Sequence, residues 1–138
     1  MNSISLIYSI LGATTHCVLP LAYALDEIAE RMFEQHIAMD DIKMCEICLC
    51  VSERLYYKIK PRSVDSEIRR MANDCSDKIV KEGWTEEYFG KQLSDPGRPR
   101  QIMISLATLA YFDKPFHQMV QEHDEYFTGQ LSAVPSLP

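Results

Sequence analysis

Apolar positions recur at intervals of three and four along the chain, and no run alternates apolar with polar as a half-buried strand does. Ile4, Leu6, Ile7, Ile10 and Leu11 predict a short first helix stopped by Gly12. Leu21, Leu25, Ile28, Ala29, Met32 and Phe33 form a second stripe, entered at Pro20, where proline suits the first turn of a helix. Ile42, Cys45, Cys48, Leu49, Leu55 and Ile59 mark a third helix that ends before Pro61. The cleanest stripe follows in Val64, Ile68, Met71, Ala72, Cys75 and Ile79, with Ser63 as its expected N-cap and Gly83 beyond its end. A short helix from Thr85 reaches Gly90, and Ser94-Asp95-Pro96-Gly97 is a turn signal. Pro99 opens a helix with Ile102, Leu106 and Leu109 inward, and Pro115 starts or kinks a last one carrying Phe116, Met119, Val120, His123 and Phe127. The pattern predicts an all-α single domain of six or seven helices over residues 1–127, with a frayed tail at 128–138.

A chain of 138 residues with 46% hydrophobic and 25% charged positions has a globular composition. At this length it buries about two-thirds of its unfolded surface, enough for a core without disulfides or metal. The net charge of −6 argues against a general nucleic-acid binder. That average hides a local asymmetry. Residues 26–46 hold seven acids against two bases, whereas residues 54–70 hold six bases (Arg54, Lys58, Lys60, Arg62, Arg69, Arg70) against Asp65 and Glu67.

The basic residues fall on one side of the fourth predicted helix and on the approach to it. At 100° per residue, Val64, Ile68, Met71, Cys75 and Ile79 share one arc. Arg62, Ser66, Arg69 and Asn73 line the opposite arc, with Arg70 beside them and acids (Asp65, Glu67, Asp74, Asp77) only at its margins. A helix of this kind suits a DNA major groove, where arginine reads guanine bidentately and asparagine reads adenine. Arg54, Lys58 and Lys60 precede it and suit flanking phosphates. Two helices joined by a short turn, the second with a polar outward row near its start, predict a helix-turn-helix at about 42–82. The expected DNA-binding residues are Arg54, Lys58, Lys60, Arg62, Ser63, Ser66, Arg69, Arg70 and Asn73.

Several ordered motifs resemble the C-terminal DNA-binding effector domain of the sporulation initiation (stage zero) response regulator of endospore-forming bacteria. Gly12-Ala13-Thr14-Thr15-His16 is similar to that family's Gly-x-x-x-His after the first helix. Ser63-Val64-Asp65-Ser66-Glu67-Ile68-Arg69-Arg70 resembles the start of its recognition helix. Gly83, Phe89-Gly90 and Arg98-Pro99 recur in the family's order, so the likeness spans about residues 4–110. It implies a six-helix fold whose third and fourth helices read a short promoter element, with head-to-tail pairs on double-stranded DNA and Arg69 and Arg70 at contact positions. The family tends to carry arginine where this chain has Ser63 and Ser66, which implies altered base readout. Its receiver domain needs more than a hundred residues, so the chain is expected to be a divergent standalone member without phosphorylation control.

Other constellations point to packing. Cys45-x-x-Cys48-x-Cys50 lacks the further ligands that a zinc site needs, and Cys45 and Cys48 are expected on a buried stripe. The five cysteines are odd in number and form no disulfide framework, as in reduced cytoplasmic proteins. The uncharged stretch before Asp26 has no preceding Lys or Arg and is broken by Thr14, Thr15, His16 and Pro20. It is therefore expected to be a buried helix and loop rather than a leader or a span. His16 is expected to be a structural hydrogen-bonder or cap, and His117 and His123 to be scattered surface groups. Trp84 is expected to pack between helices, and one of Tyr56 and Tyr57 to face the core while the other is available to a phosphate. No metal, cofactor or catalytic constellation is expected, so the chain is not expected to be an enzyme. A rival expectation is a protein-interaction module of the same fold that has lost DNA binding and docks a basic partner on an acidic face at Glu27, Glu30 and Glu34.

Overall fold

Asn2 begins the first helix by accepting a hydrogen bond from the Ser5 amide at 2.7 Å, and Gly12 ends it at φ 69°. The computed structural model describes residues 1–13 and 17–129, and every regular element among them is helical. Helix α1 (Ser3–Leu11) buries Leu6, Ile7 and Ile10. Helix α2 (Leu19–Ala29) opens with Pro20 in its first turn and runs on into a π-helical turn, Glu30–Glu34, which keeps Met32 and Phe33 inside. A 3₁₀ turn (Met39–Asp41) leads to α3 (Met44–Arg54). There follow α4 (Pro61–Glu82), α5 (Thr85–Phe89), α6 (Pro99–Phe112), α7 (Phe116–Glu122) and α8 (Glu125–Thr128).

The core gathers around α2 and α6. Helix α2 touches α1, α3, α4 and α6, and its Leu21, Leu25 and Ile28 are fully buried. Helix α6 contributes Ile102, Met103, Ile104 and Leu106. Its Arg100 reaches across to donate to the carbonyls of Met39 and Ile42, which ties the approach to α3 onto α6. Phe33 sits among Phe112, Tyr126 and Phe127, with ring centroids 4.7, 6.4 and 5.7 Å away, and this cluster holds α8 against the end of α2. No helix among the described residues is long and apolar enough to cross a membrane.

Four expectations about elements need correction. Eight α-helices are present among the described residues rather than six or seven, because His123 and Asp124 break the last one into α7 and α8. Helix α4 starts at Pro61, so its N-cap is Lys60 rather than Ser63. A residue before proline is driven to extended backbone, as at Lys60 (φ −66°, ψ 148°), and proline itself supplies the first helical position. The third helix stops at Arg54, leaving Ile59 in the connection. Its inward face is Ile47, Cys48, Val51 and Ser52, so Cys45 and Leu49 point outward. Of the expected tail, Thr128 closes α8, while residues 130–138 lie outside the described residues, as does His16.

Helix α3 ends in a Schellman motif. The Tyr57 amide donates to the Ser52 carbonyl at 2.8 Å and the Tyr56 amide to Glu53 at 2.9 Å. The left-handed position of this motif usually carries glycine, as it does at the end of α4, where the Trp84 and Gly83 amides bond Ile79 and Val80. At the end of α3 it carries Tyr56 (φ 55°), and Tyr57 follows at φ 57°.

Candidate nucleic-acid interface

Helix α4 separates its two faces cleanly. Val64, Ile68, Met71, Ala72, Cys75 and Ile79 are buried against the rest of the core. Arg62, Ser63, Ser66, Arg69, Arg70 and Asn73 are all exposed, as the spacing required. Ser63, Ser66 and Asn73 make no side-chain hydrogen bond among the described residues, so their polar groups face water.

The six basic side chains of the segment divide into three groups. Arg69 Nε lies 3.0 Å from Asp65 Oδ1, and Arg70 Nη2 lies 2.9 Å from Glu67 Oε2. Both pairs lie along α4 itself, and the arginine side chains stay 57% and 43% exposed. Exposed pairs of this kind contribute about 0–1 kcal/mol, so a phosphate or a base edge can displace the carboxylate at little cost. Arg54 is engaged differently. Its guanidinium carbon sits 3.9 Å from the centre of the Tyr23 ring, and Nη1 is 3.8 Å from both Asp26 and Glu27 carboxylates on α2. It therefore joins α3 to α2. Lys58, Lys60 and Arg62 are exposed and have no ion pair among the described residues. Within the 54–70 segment, the positive charge without an ion pair thus lies on the α3–α4 connection and the first turn of α4.

Between the first turns of α3 and α4 lies an open groove of 340 Å³, lined by Met44, Cys45, Cys48, Pro61, Arg62, Asp65 and Arg69. Asp65 is the hub of its floor, accepting from Arg69 Nε through both oxygens and from the Cys48 thiol at 3.7 Å. Burial, and then the Asp65 charge, push the Cys48 thiol up to about 11, so at neutral pH it remains an S–H donor. Cys50 faces elsewhere, 3.3 Å from Arg31 Nη2. The three cysteines of the Cys-x-x-Cys-x-Cys run therefore do not converge, and no His, Cys, Asp and Glu group suited to a metal ion occurs among the described residues.

The acidic surface expected at Glu27, Glu30 and Glu34 is smaller than its composition implies. Glu27 is mostly covered and spent on Arg31 at 3.0 Å and on Arg54, which leaves Glu30 and Glu34 exposed. Tyr56 and Tyr57 are both exposed, so neither faces the core. The left-handed turn responsible was missed because no glycine marks it. The partners of Arg54 were missed because they lie on another helix. Comparison of the chain with protein-family models, with curated proteins and with solved structures gave no match.

Proposed function

We propose that the chain is a DNA-binding transcriptional regulator, in which α3, its following turn and α4 act as a helix-turn-helix of the kind found in the sporulation effector family. The observation that carries this reading is the outer face of α4. It is a continuous exposed row of arginine, serine and asparagine, approached by three cations with no acid partner among the described residues. A polyanion is the ligand that such a surface lacks. Arg69 and Arg70 exchange their weak pairs on α4 for base edges or phosphates, with Ser63, Ser66 and Asn73 completing the row. Lys58, Lys60 and Arg62 neutralise flanking phosphates, and Arg54 supports them by fixing α3 on α2. The free state of all five cysteines accords with a reducing, cytoplasmic setting.

Selection of duplexes from a random pool at two salt concentrations tests the reading. A preferred sequence is expected for the wild-type chain. If Arg69 reads a base, Arg69→Ala should cost about 1–3 kcal/mol and relax one position of the selected site. Retention of no duplex at either salt, or identical selection by the Arg69→Ala/Arg70→Ala variant, would refute it. A stable protein partner bound through Glu30 and Glu34, with no DNA retained, would favour the interaction module instead.

A further inference from the structure

The turn between α3 and α4 exposes two large aromatic side chains and holds them there. Tyr56 is 85% exposed and Tyr57 60% exposed. Both adopt positive φ, a region that side chains with a Cβ normally avoid. The conformation is locked from below. Besides the two Schellman bonds, the buried Ser52 hydroxyl donates to the Ile59 carbonyl at 2.7 Å and the Lys58 amide to the Leu55 carbonyl at 3.2 Å. The Tyr56 side chain has no hydrogen-bond partner or ring contact among the described residues. The Tyr57 phenol is pushed up from its ordinary value by desolvation, by the Glu53 carboxylate beside it and by the hydrogen bond between them, which a phosphate oxygen must replace.

Strain and exposed aromatic surface are both costs in the free protein, and strained residues held by their surroundings cluster at binding sites. The neighbourhood says what that contact is. Lys58, Lys60 and Arg62 follow within six residues of Tyr56 and carry no acid partner among the described residues. An apolar protein surface laid on the tyrosines would strip water from these three charges without replacing it. A sugar–phosphate chain offers the rings a deoxyribose face, and offers the phenols and ammonium groups phosphate oxygens.

We propose that the Tyr56–Tyr57 turn is a backbone-gripping surface for duplex DNA: the rings pack on deoxyribose at the edge of the site, and the phenol hydroxyls donate to the phosphates that Lys58 and Lys60 neutralise. This rests on the DNA-binding reading above and assigns it a contact outside the recognition row.

The test measures affinity for a duplex selected by the wild-type chain, over a range of salt, for wild type, Tyr56→Gly, Tyr57→Gly, Tyr56→Phe and Lys58→Ala, with a melting curve for each. The glycine variants are expected to melt above wild type, since glycine suits the left-handed region, yet to bind about fivefold more weakly. Their salt dependence should be unchanged, because a phenol carries no charge, whereas Lys58→Ala should flatten it. Wild-type affinity in both glycine variants overturns the inference and leaves the DNA reading standing. A wild-type chain that selects no duplex overturns both. Should a glycine variant melt below wild type, Tyr56→Phe decides: weaker binding at an unchanged melting temperature supports the contact, and equal binding overturns it. A protein partner released by Tyr56→Gly, with duplex affinity untouched, also overturns it.

Discussion

Tyr56 and Gly83 occupy the same slot of the same capping motif, at φ 55° and 74°. A side chain in the left-handed region costs roughly 1–2 kcal/mol, and glycine escapes that cost. Nothing lies within 4 Å of a Cβ built on Gly83, so Gly83→Ala isolates the backbone term. It should lower the unfolding free energy by about 1 kcal/mol in denaturant titration, and Tyr56→Gly should raise it by a similar amount. The cysteines supply a pH-dependent counterpart. Burial pushes the Cys75 thiol up to about 12, against an unfolded value near the ordinary 9.0. Below that unfolded value both states keep the proton and pH has no effect through this group. As pH rises from 9 toward 12, only the unfolded chain loses the proton, so stability must fall, with a limiting slope of about 1.4 kcal/mol per pH unit. Denaturation midpoints of wild type and Cys75→Ala should therefore converge as pH rises above 9; a constant gap would show that the thiol is not protected by the fold.

Among the elements, α4 was the most legible. A stripe at 64, 68, 71, 75 and 79 and Gly83 each act within a few residues, so local chemistry fixes the buried face and the end. The start at Pro61 is instead placed three residues late by Ser63, which offers a side-chain cap that Lys60 lacks. Helices α1 and α6 were legible for the same reason, through Gly12 and Pro99. Helix α3 was not. Its buried positions, Ile47, Cys48, Val51 and Ser52, compete with an outward Cys45 and Leu49 of similar hydrophobicity, so the pattern alone picks the wrong arc. Its end depends on a turn closed by Ser52 and capped by tyrosine, which no breaker residue announces. Contacts between elements were beyond reach for a further reason: Arg54 finds Tyr23, Asp26 and Glu27 only once α2 and α3 are packed. This placement makes Arg54 a fastener between the two helices. Arg54→Ala should cost about 1 kcal/mol of stability, from a cation–π contact and two long ion pairs, while leaving the salt dependence of the proposed DNA binding unaltered. A flattened salt dependence would return Arg54 to the phosphates.

The molecule as a whole is acidic, at −6, and would be repelled by DNA if its charge were spread evenly. The fold arranges it otherwise. Arg31 and Arg54 are consumed by Glu27 and Asp26, and Arg69 and Arg70 rest on exposed acids of their own helix. What remains without a counter-charge among the described basic residues of the 54–70 segment is Lys58, Lys60 and Arg62, at the start of the helix whose outer row is polar. At physiological ionic strength charges separated by more than about 8 Å are largely screened, so distant acids weaken long-range attraction more than they weaken contact. The salt dependence of affinity for a selected duplex tests this claim most directly, comparing wild type with a Lys58→Ala/Lys60→Ala/Arg62→Ala variant. Each phosphate neutralised contributes about −0.9 to the slope of log affinity against log salt, so the triple variant should be shallower by roughly 2.7. An unchanged slope, or a wild-type chain with no measurable affinity at low salt, would contradict the account.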